Sequence, residues 1–255
     1  MPFTFGNAFN RFFRLLGGNF VPFAIVGLIC TIAPSMALVY TQATYMGINQ
    51  GDPTWLQKLA HFTPQLWAFA GVGWLVMLLF NLMSVSAITE ISILRSVDKP
   101  VNYAAVIGNA LKNALPLLIV EILTVLLLVF GFILLIIPGF FFMLCTCVAV
   151  PAYVGQPSIG IVGALQKSFA LTRNHRWALL LLFIVMGILS SILSGALVGT
   201  TMSLPGGMMS MPALLARGFI SGIIALLGHV LAASVYVSLR EDKEKTTPDA
   251  AASVF

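Results

Sequence analysis

Five stretches of this chain are too long and too apolar to fold in water. Crossing about 30 Å of hydrocarbon takes roughly 20 apolar residues in a helix. Phe20 to Tyr40, Trp67 to Thr89, Leu115 to Ile137, Trp177 to Val198 and Phe219 to Leu239 each meet that length. A sixth run, Phe140 to Val154, is shorter and carries Pro151 near its end. Only 8% of the 255 residues are charged and 59% are apolar, whereas soluble domains carry about a quarter charged residues. The expectation is an all-α integral membrane protein: one six-span domain over residues 1–240 and a disordered tail over 241–255. The first run exceeds a signal-peptide core and further spans follow, so it is expected to be retained.

The charges orient the spans. Arg11 and Arg14, then Arg95, Lys99 and Lys112, then Lys167, Arg173 and Arg176, and finally Arg240, Lys243 and Lys245 all fall on one side, against Lys58 and Arg217 on the other. Basic loops stay in the cytoplasm, so eleven against two is expected to place both termini there, as in a multi-pass bacterial inner-membrane protein. The net charge of +5 is thus membrane topology, and nothing matches a nucleic-acid-reading motif.

Each pair of spans follows a similar short stretch: Gly6-Asn7-Ala8-Phe9-Asn10-Arg11, Gly108-Asn109-Ala110-Leu111-Lys112-Asn113 and Gly163-Ala164-Leu165-Gln166-Lys167-Ser168. This predicts three hairpins, each preceded by a cytoplasmic interfacial amphipathic helix. Phe5, Phe9, Phe13 and Leu16 share helical spacing beside Arg11 and Arg14. Basic residues there attract anionic lipid, which makes Arg11, Arg14, Lys112, Lys167, Arg173 and Arg176 the candidate headgroup residues. The same residues also serve as plain juxtamembrane connectors. Pro138-Gly139 is the predicted turn between the third and fourth spans.

Ionisable groups inside spans are costly and point to function. Glu121, His229 and Asn81 sit within the third, sixth and second spans. Two arrangements fit them: convergence into a polar site or proton relay, or three separate structural groups bonded across helices. Glu90 stands at the cytoplasmic end of the second span. Gly187, Ser191, Gly195 and Gly199 recur every fourth residue, and Gly218 and Gly222 open the sixth span. Small residues at this spacing allow close backbone approach, so the fifth and sixth spans are expected to pack together, with a self-dimer as the alternative.

No metal or cofactor is expected. Cys30, Cys145 and Cys147 lie in apolar runs as small hydrophobes. The outer loop Thr41 to Gln65 and the Met-rich loop Thr200 to Ala213 lack ligand spacing, and an apolar loop at the outer interface fits the second better than a copper site. His61 and His175 read as isolated solvated loop residues. No catalytic carboxylate pair, nucleophile triad or phosphate loop occurs, so an enzyme is not expected.

A resemblance runs from about Met83 to Leu182. Leu115-Pro116-Leu117-Leu118 opens a span ending Leu134-Leu135-Ile136-Ile137-Pro138-Gly139-Phe140. Val150-Pro151-Ala152 follows, then Ala164-Leu165, Ser168, Leu171-Thr172 and His175-Arg176-Trp177, with a weak return at Val235 to Arg240. This resembles the bacterial family named after the membrane region of glycerophosphoryl diester phosphodiesterases. The resemblance implies a six-span domain without the catalytic barrel, since only a short tail follows the last span, so phosphodiesterase activity is not carried over. The family pattern often has acidic residues near Gln156 and Ser238, which this chain lacks. The functional expectation is a non-enzymatic protein engaging membrane lipids, or an unknown membrane protein partner, through its cytoplasmic interfacial helices. The alternatives are a transporter for a small amphiphile or lipid and an intramembrane enzyme of lipid metabolism.

Overall fold

The computed structural model describes residues 3–46, 64–96, 99–202 and 210–244. The outer loop over 47–63 with His61, the methionines at 208 and 209, and the tail over 245–255 lie outside the described residues. Within them the chain is helical throughout, with no strand. Six segments are long and apolar enough to cross a membrane: Phe20–Thr44, Gly71–Arg95, Tyr103–Leu134, Ile136–Gly155, Arg176–Met202 and Met211–Lys243. The helices are α1 (Phe5–Gly18), α2 (Phe20–Gly27), α3 (Ala33–Met46), α4 (Pro64–Arg95), α5 (Tyr103–Leu134), α6 (Ile136–Thr146), α7 (Ala149–Gly155), α8 (Gly160–Thr172), α9 (Arg176–Met202) and α10 (Met211–Glu244).

Proline decides where these helices bend. A proline inside a helix cannot donate to the carbonyl four residues back, and its ring crowds that carbonyl. Pro34 thereby leaves Cys30 without its usual donor. The chain answers with a π-turn over Leu28–Ile32, where the Ala33 amide reaches back to the Leu28 carbonyl. Thr31 Oγ1 donates to the Gly27 carbonyl at 2.6 Å and Ser35 Oγ to that of Thr31. Pro151 acts more strongly. It bars the Cys147 carbonyl, and the helix breaks at Cys147 and Val148 into α6 and α7. The fourth segment is therefore a broken helix of 20 residues, Ile136–Gly155, five residues longer than the run Phe140 to Val154 read from hydropathy.

Three boundaries differ from expectation. The turn before α6 is not Pro138-Gly139 but Leu135, the single extended residue between α5 and α6 (φ −172°, ψ 161°). Pro138 lies in the first turn of α6, where its missing N–H would have had no intrahelical partner anyway. Gly131 and Gly139 let the two helices close at once: a Cβ on Gly139 would run into the Phe132 ring, and one on Gly131 would meet Phe142 and the Pro138 carbonyl. Second, Gly108 to Asn113 forms no helix of its own. It belongs to α5, whose 32 residues run on through Pro116 into the span. Third, α10 continues through Glu244, four residues into the segment expected to be disordered.

The chain forms two compact units. One comprises Met1–Phe23, Leu82–Met186 and Leu227–Phe255; the other comprises Ala24–Asn81 and Gly187–Leu226. The core of the first contains three helical stretches with every residue buried: 86–94, 148–155 and 233–240. Tyr236 fits against Gly155 so closely that a Cβ there would overlap the phenol. In the second unit Gly218 and Gly222 set the α10 backbone against Met36 and Ile32 of the first span. The stripe on α9 does something else: Gly187, Gly195 and Gly199 have open space where a Cβ would stand, and Ser191 is exposed. The sixth span thus uses its glycines on the first span, and the glycines of the α9 stripe face open space among the described residues. Spacing marks a face that permits close approach but does not name the helix that takes it.

Gly222→Ala should lower stability by about 1–3 kcal/mol, because the new methyl meets the Ile32 backbone. Gly195→Ala should be neutral or slightly stabilising, since alanine favours the helix. Thermal unfolding of both variants in one detergent checks the contrast.

Candidate functional site

The first unit holds a polar core on α4. Ser84, Ser86, Thr89, Glu90 and Ser92 are all buried, Glu90 with 2% of its surface exposed. Thr89 and Glu90 lie three and four residues after Ser86 and so flank it on one helix face. The Asn109 amide of α5 donates to Glu90 Oε1 at 3.0 Å. Glu90 Oε2 and the hydroxyls of Ser86 and Thr89 are fully buried with no hydrogen-bond partner among the described residues. Ser92 instead donates to the Ile88 carbonyl of its own helix at 2.7 Å.

The three groups singled out in the spans have different surroundings. His229 Nδ1 lies 3.0 Å from Ser84 Oγ. Asn81 donates to the Met77 carbonyl of its own helix at 2.9 Å. Glu121 is half-buried, with no hydrogen bond or ion pair among the described residues. The Glu90–Asn109 and Ser84–His229 pairs went unseen in the sequence. Its available signal was the run of hydroxyl residues from Ser84 to Ser92, too dense for a helix facing only lipid.

A second polar focus surrounds the chain ends. Arg11 of α1 forms an ion pair with Glu241 of α10, through Nη2. His175 Nε2 lies 2.9 Å from Asp242 Oδ2 of α10, and its ring meets Phe3 edge-on at 5.1 Å between centroids. His175 is therefore half-buried and paired, not an isolated solvated residue; its partner is 67 positions away, beyond any local pattern. Arg240 is buried, with Nη1 at 3.4 Å from both the Gly155 carbonyl and the Tyr236 hydroxyl.

The six candidate headgroup residues divide into two groups. Arg14, Lys112 and Arg173 are exposed. Arg11 is engaged with Glu241, Lys167 donates to Gln156 at 2.7 Å, and the Arg176 guanidinium lies 4.3 Å from the centre of the Phe141 ring. Arg176 follows a sharp turn made by Asn174 in the left-handed region (φ 73°), a conformation asparagine tolerates better than most residues. Trp177, next to it, is 85% exposed.

Two cavities accompany these groups. In the first unit a polar pocket of about 140 Å³ lies between α1 and α10, lined by Phe3, Asn10, Arg11, Arg14, Ser238 and Glu241 among others. In the second unit an apolar groove of about 520 Å³ runs along the first two spans, past Ile29, Pro34, Leu38, Gly73, Val76 and Phe80. No cluster of three or more His, Cys, Asp or Glu side chains that could hold a metal ion occurs among the described residues, and Cys30, Cys145 and Cys147 are free thiols.

Comparison with protein-family models, with curated proteins and with solved structures finds no match for this chain. The class is therefore what sequence and structure define: an all-helical chain with six segments able to cross a membrane.

The Glu90–Asn109 contact gives a direct test. Asn109→Ala strips Glu90 of its one donor and should cost about 1–3 kcal/mol. In the Glu90→Ala background the same change should cost much less, and a double-mutant cycle on thermal stability reads the difference.

Proposed function

We propose that the chain is a non-enzymatic, multi-pass protein of the bacterial inner membrane, with both termini cytoplasmic, that engages anionic lipid through a basic cytoplasmic face. The observation that carries this reading is the exposure of Arg14, Lys112 and Arg173, each close to the end of an apolar segment. Basic side chains at that depth lie in the headgroup layer and gain about 1 kcal/mol each from an anionic surface. α1 fits the same role. It turns Ala8, Phe12 and Leu15 into the protein and leaves Phe13 exposed beside Arg14, so that an apolar and a basic side chain are both free to meet a lipid interface. The exposed Trp177 suits the headgroup layer as well. The resemblance to the phosphodiesterase membrane region rests on the residues alone and adds the expectation of a six-span domain, with no reaction attached.

The combined variant Arg14→Gln, Lys112→Gln, Arg173→Gln should retain phosphatidylglycerol over phosphatidylcholine at least about fivefold less than the unaltered chain. Lipid carried through purification from mixed nanodiscs, quantified by mass spectrometry, provides the measurement. Equal preference in both proteins would end this reading.

The apolar groove favours a second reading, passage of a small amphiphile. Its volume of about 520 Å³ lies in the range of ligand sites, about 300–1,000 Å³. Ala37→Phe would fill part of it and should slow uptake of a fluorescent fatty acid into proteoliposomes. Uptake no faster than in protein-free vesicles would exclude transport of that probe.

A further inference from the structure

We propose that the pocket between α1 and α10 holds the phosphodiester headgroup of one anionic membrane lipid. The proposal rests on the lipid-facing reading of the basic residues and narrows it to a single site. Three observations lead to it, and the first is charge. Arg11 and Arg14 line the pocket with Glu241, so two guanidinium groups and one carboxylate leave one net positive charge. A phosphodiester carries one negative charge and matches it. A phosphomonoester carries about −1.5 to −2 at neutral pH and would meet the Glu241 carboxylate without enough compensation.

The second observation is an unfilled donor. Arg11 commits Nη2 to Glu241, while its Nη1 is buried with no hydrogen-bond partner among the described residues. The ion pair holds the guanidinium plane in place, leaving its second branch for an acceptor. A phosphate oxygen suits this branch, since guanidinium N–H groups make strong charge-assisted hydrogen bonds to phosphate. Arg14 and the Asn10 side chain line the same pocket and are exposed; they supply a second cation and a neutral donor.

The third is size and position. A volume of about 140 Å³ is well below that of a whole-ligand site, but it accommodates a headgroup whose acyl chains lie outside. Apolar surface lies close by in the chain, at Phe13 of α1 next to Arg14 and at Phe20 at the start of α2, which are 52% and 63% exposed. Phosphate and hydrocarbon surfaces are thus presented together, as a lipid requires.

The test uses the full chain in nanodiscs of phosphatidylglycerol and phosphatidylcholine, with bound lipid counted by native mass spectrometry. One retained phosphatidylglycerol per chain is expected. Arg14→Gln should reduce its retention at least about fivefold, and Asn10→Ala should reduce it too without changing the charge of the basic face. Neither side chain is buried, and unchanged melting temperatures would exclude misfolding. If both variants retain the lipid fully while the Lys112→Gln, Arg173→Gln variant loses lipid preference, the pocket is refuted and the wider reading stands. If none of these variants changes retention, both are refuted. Tighter retention of phosphatidic acid than of phosphatidylglycerol would overturn the charge match. Displacement of the lipid by equimolar glycerophosphoglycerol would assign the site to a soluble phosphodiester and overturn the lipid source.

Discussion

Backbone groups inside an apolar span must be satisfied within the protein, because hydrocarbon offers them no partner. Pro151 creates the point where this constraint bites hardest. Breaking the helix at Cys147 and Val148 frees carbonyls that a continuous helix would have used. Ser168 of α8 donates its hydroxyl to the Cys145 carbonyl at 2.7 Å, and Thr146 Oγ1 closes back on Phe142. The Ser168 bond ties α8 to the break between α6 and α7, and the Phe142 and Phe169 rings pack edge-on beside it. Gly155, at the end of α7, then receives Tyr236 of α10. One missing N–H in the fourth span thus opens a carbonyl that Ser168 of α8 takes up.

The second consequence concerns where polarity is tolerated. The stretches 86–94, 148–155 and 233–240 are buried on all sides, so a carboxylate and several hydroxyls sit among protein atoms instead of lipid. Among the described residues Glu90 has a single neutral donor in Asn109. Polar groups so enclosed are held by few bonds, and each bond counts for more than it would in water.

Much of this was legible in the sequence, for identifiable reasons. Six apolar segments are a matter of length and composition, which read directly, and the fourth emerged as the irregular one because Pro151 sits inside it. The ends of the elements were less accessible. Pro138-Gly139 reads as a turn from local preference, yet proline is equally suited to the first turn of a helix, and that use prevailed. Gly108 to Asn113 reads as a separate stretch because of Lys112 and Asn113, but the helix continues into α5 even though Pro116 leaves the Lys112 carbonyl without its usual donor. The site was the least legible part. Arg11 with Glu241 and His175 with Asp242 join residues 230 and 67 positions apart, and a single sequence holds no record of such pairings. The α9 glycines show the same limit, since their spacing was plain and their neighbour was not.

The ion pair between α1 and α10 also bears on how the molecule is made. A chain emerges from synthesis N-terminal end first, and domains close as units. Arg11 is among the first side chains available, while Glu241 lies at the far end of the last membrane segment. The first unit draws on Met1–Phe23 and Leu227–Phe255 together, so α1 waits through the insertion of all six segments before its partner arrives. Closure of this clasp is therefore a late event in assembly, because one half of it is made first and the other half belongs to the last helix.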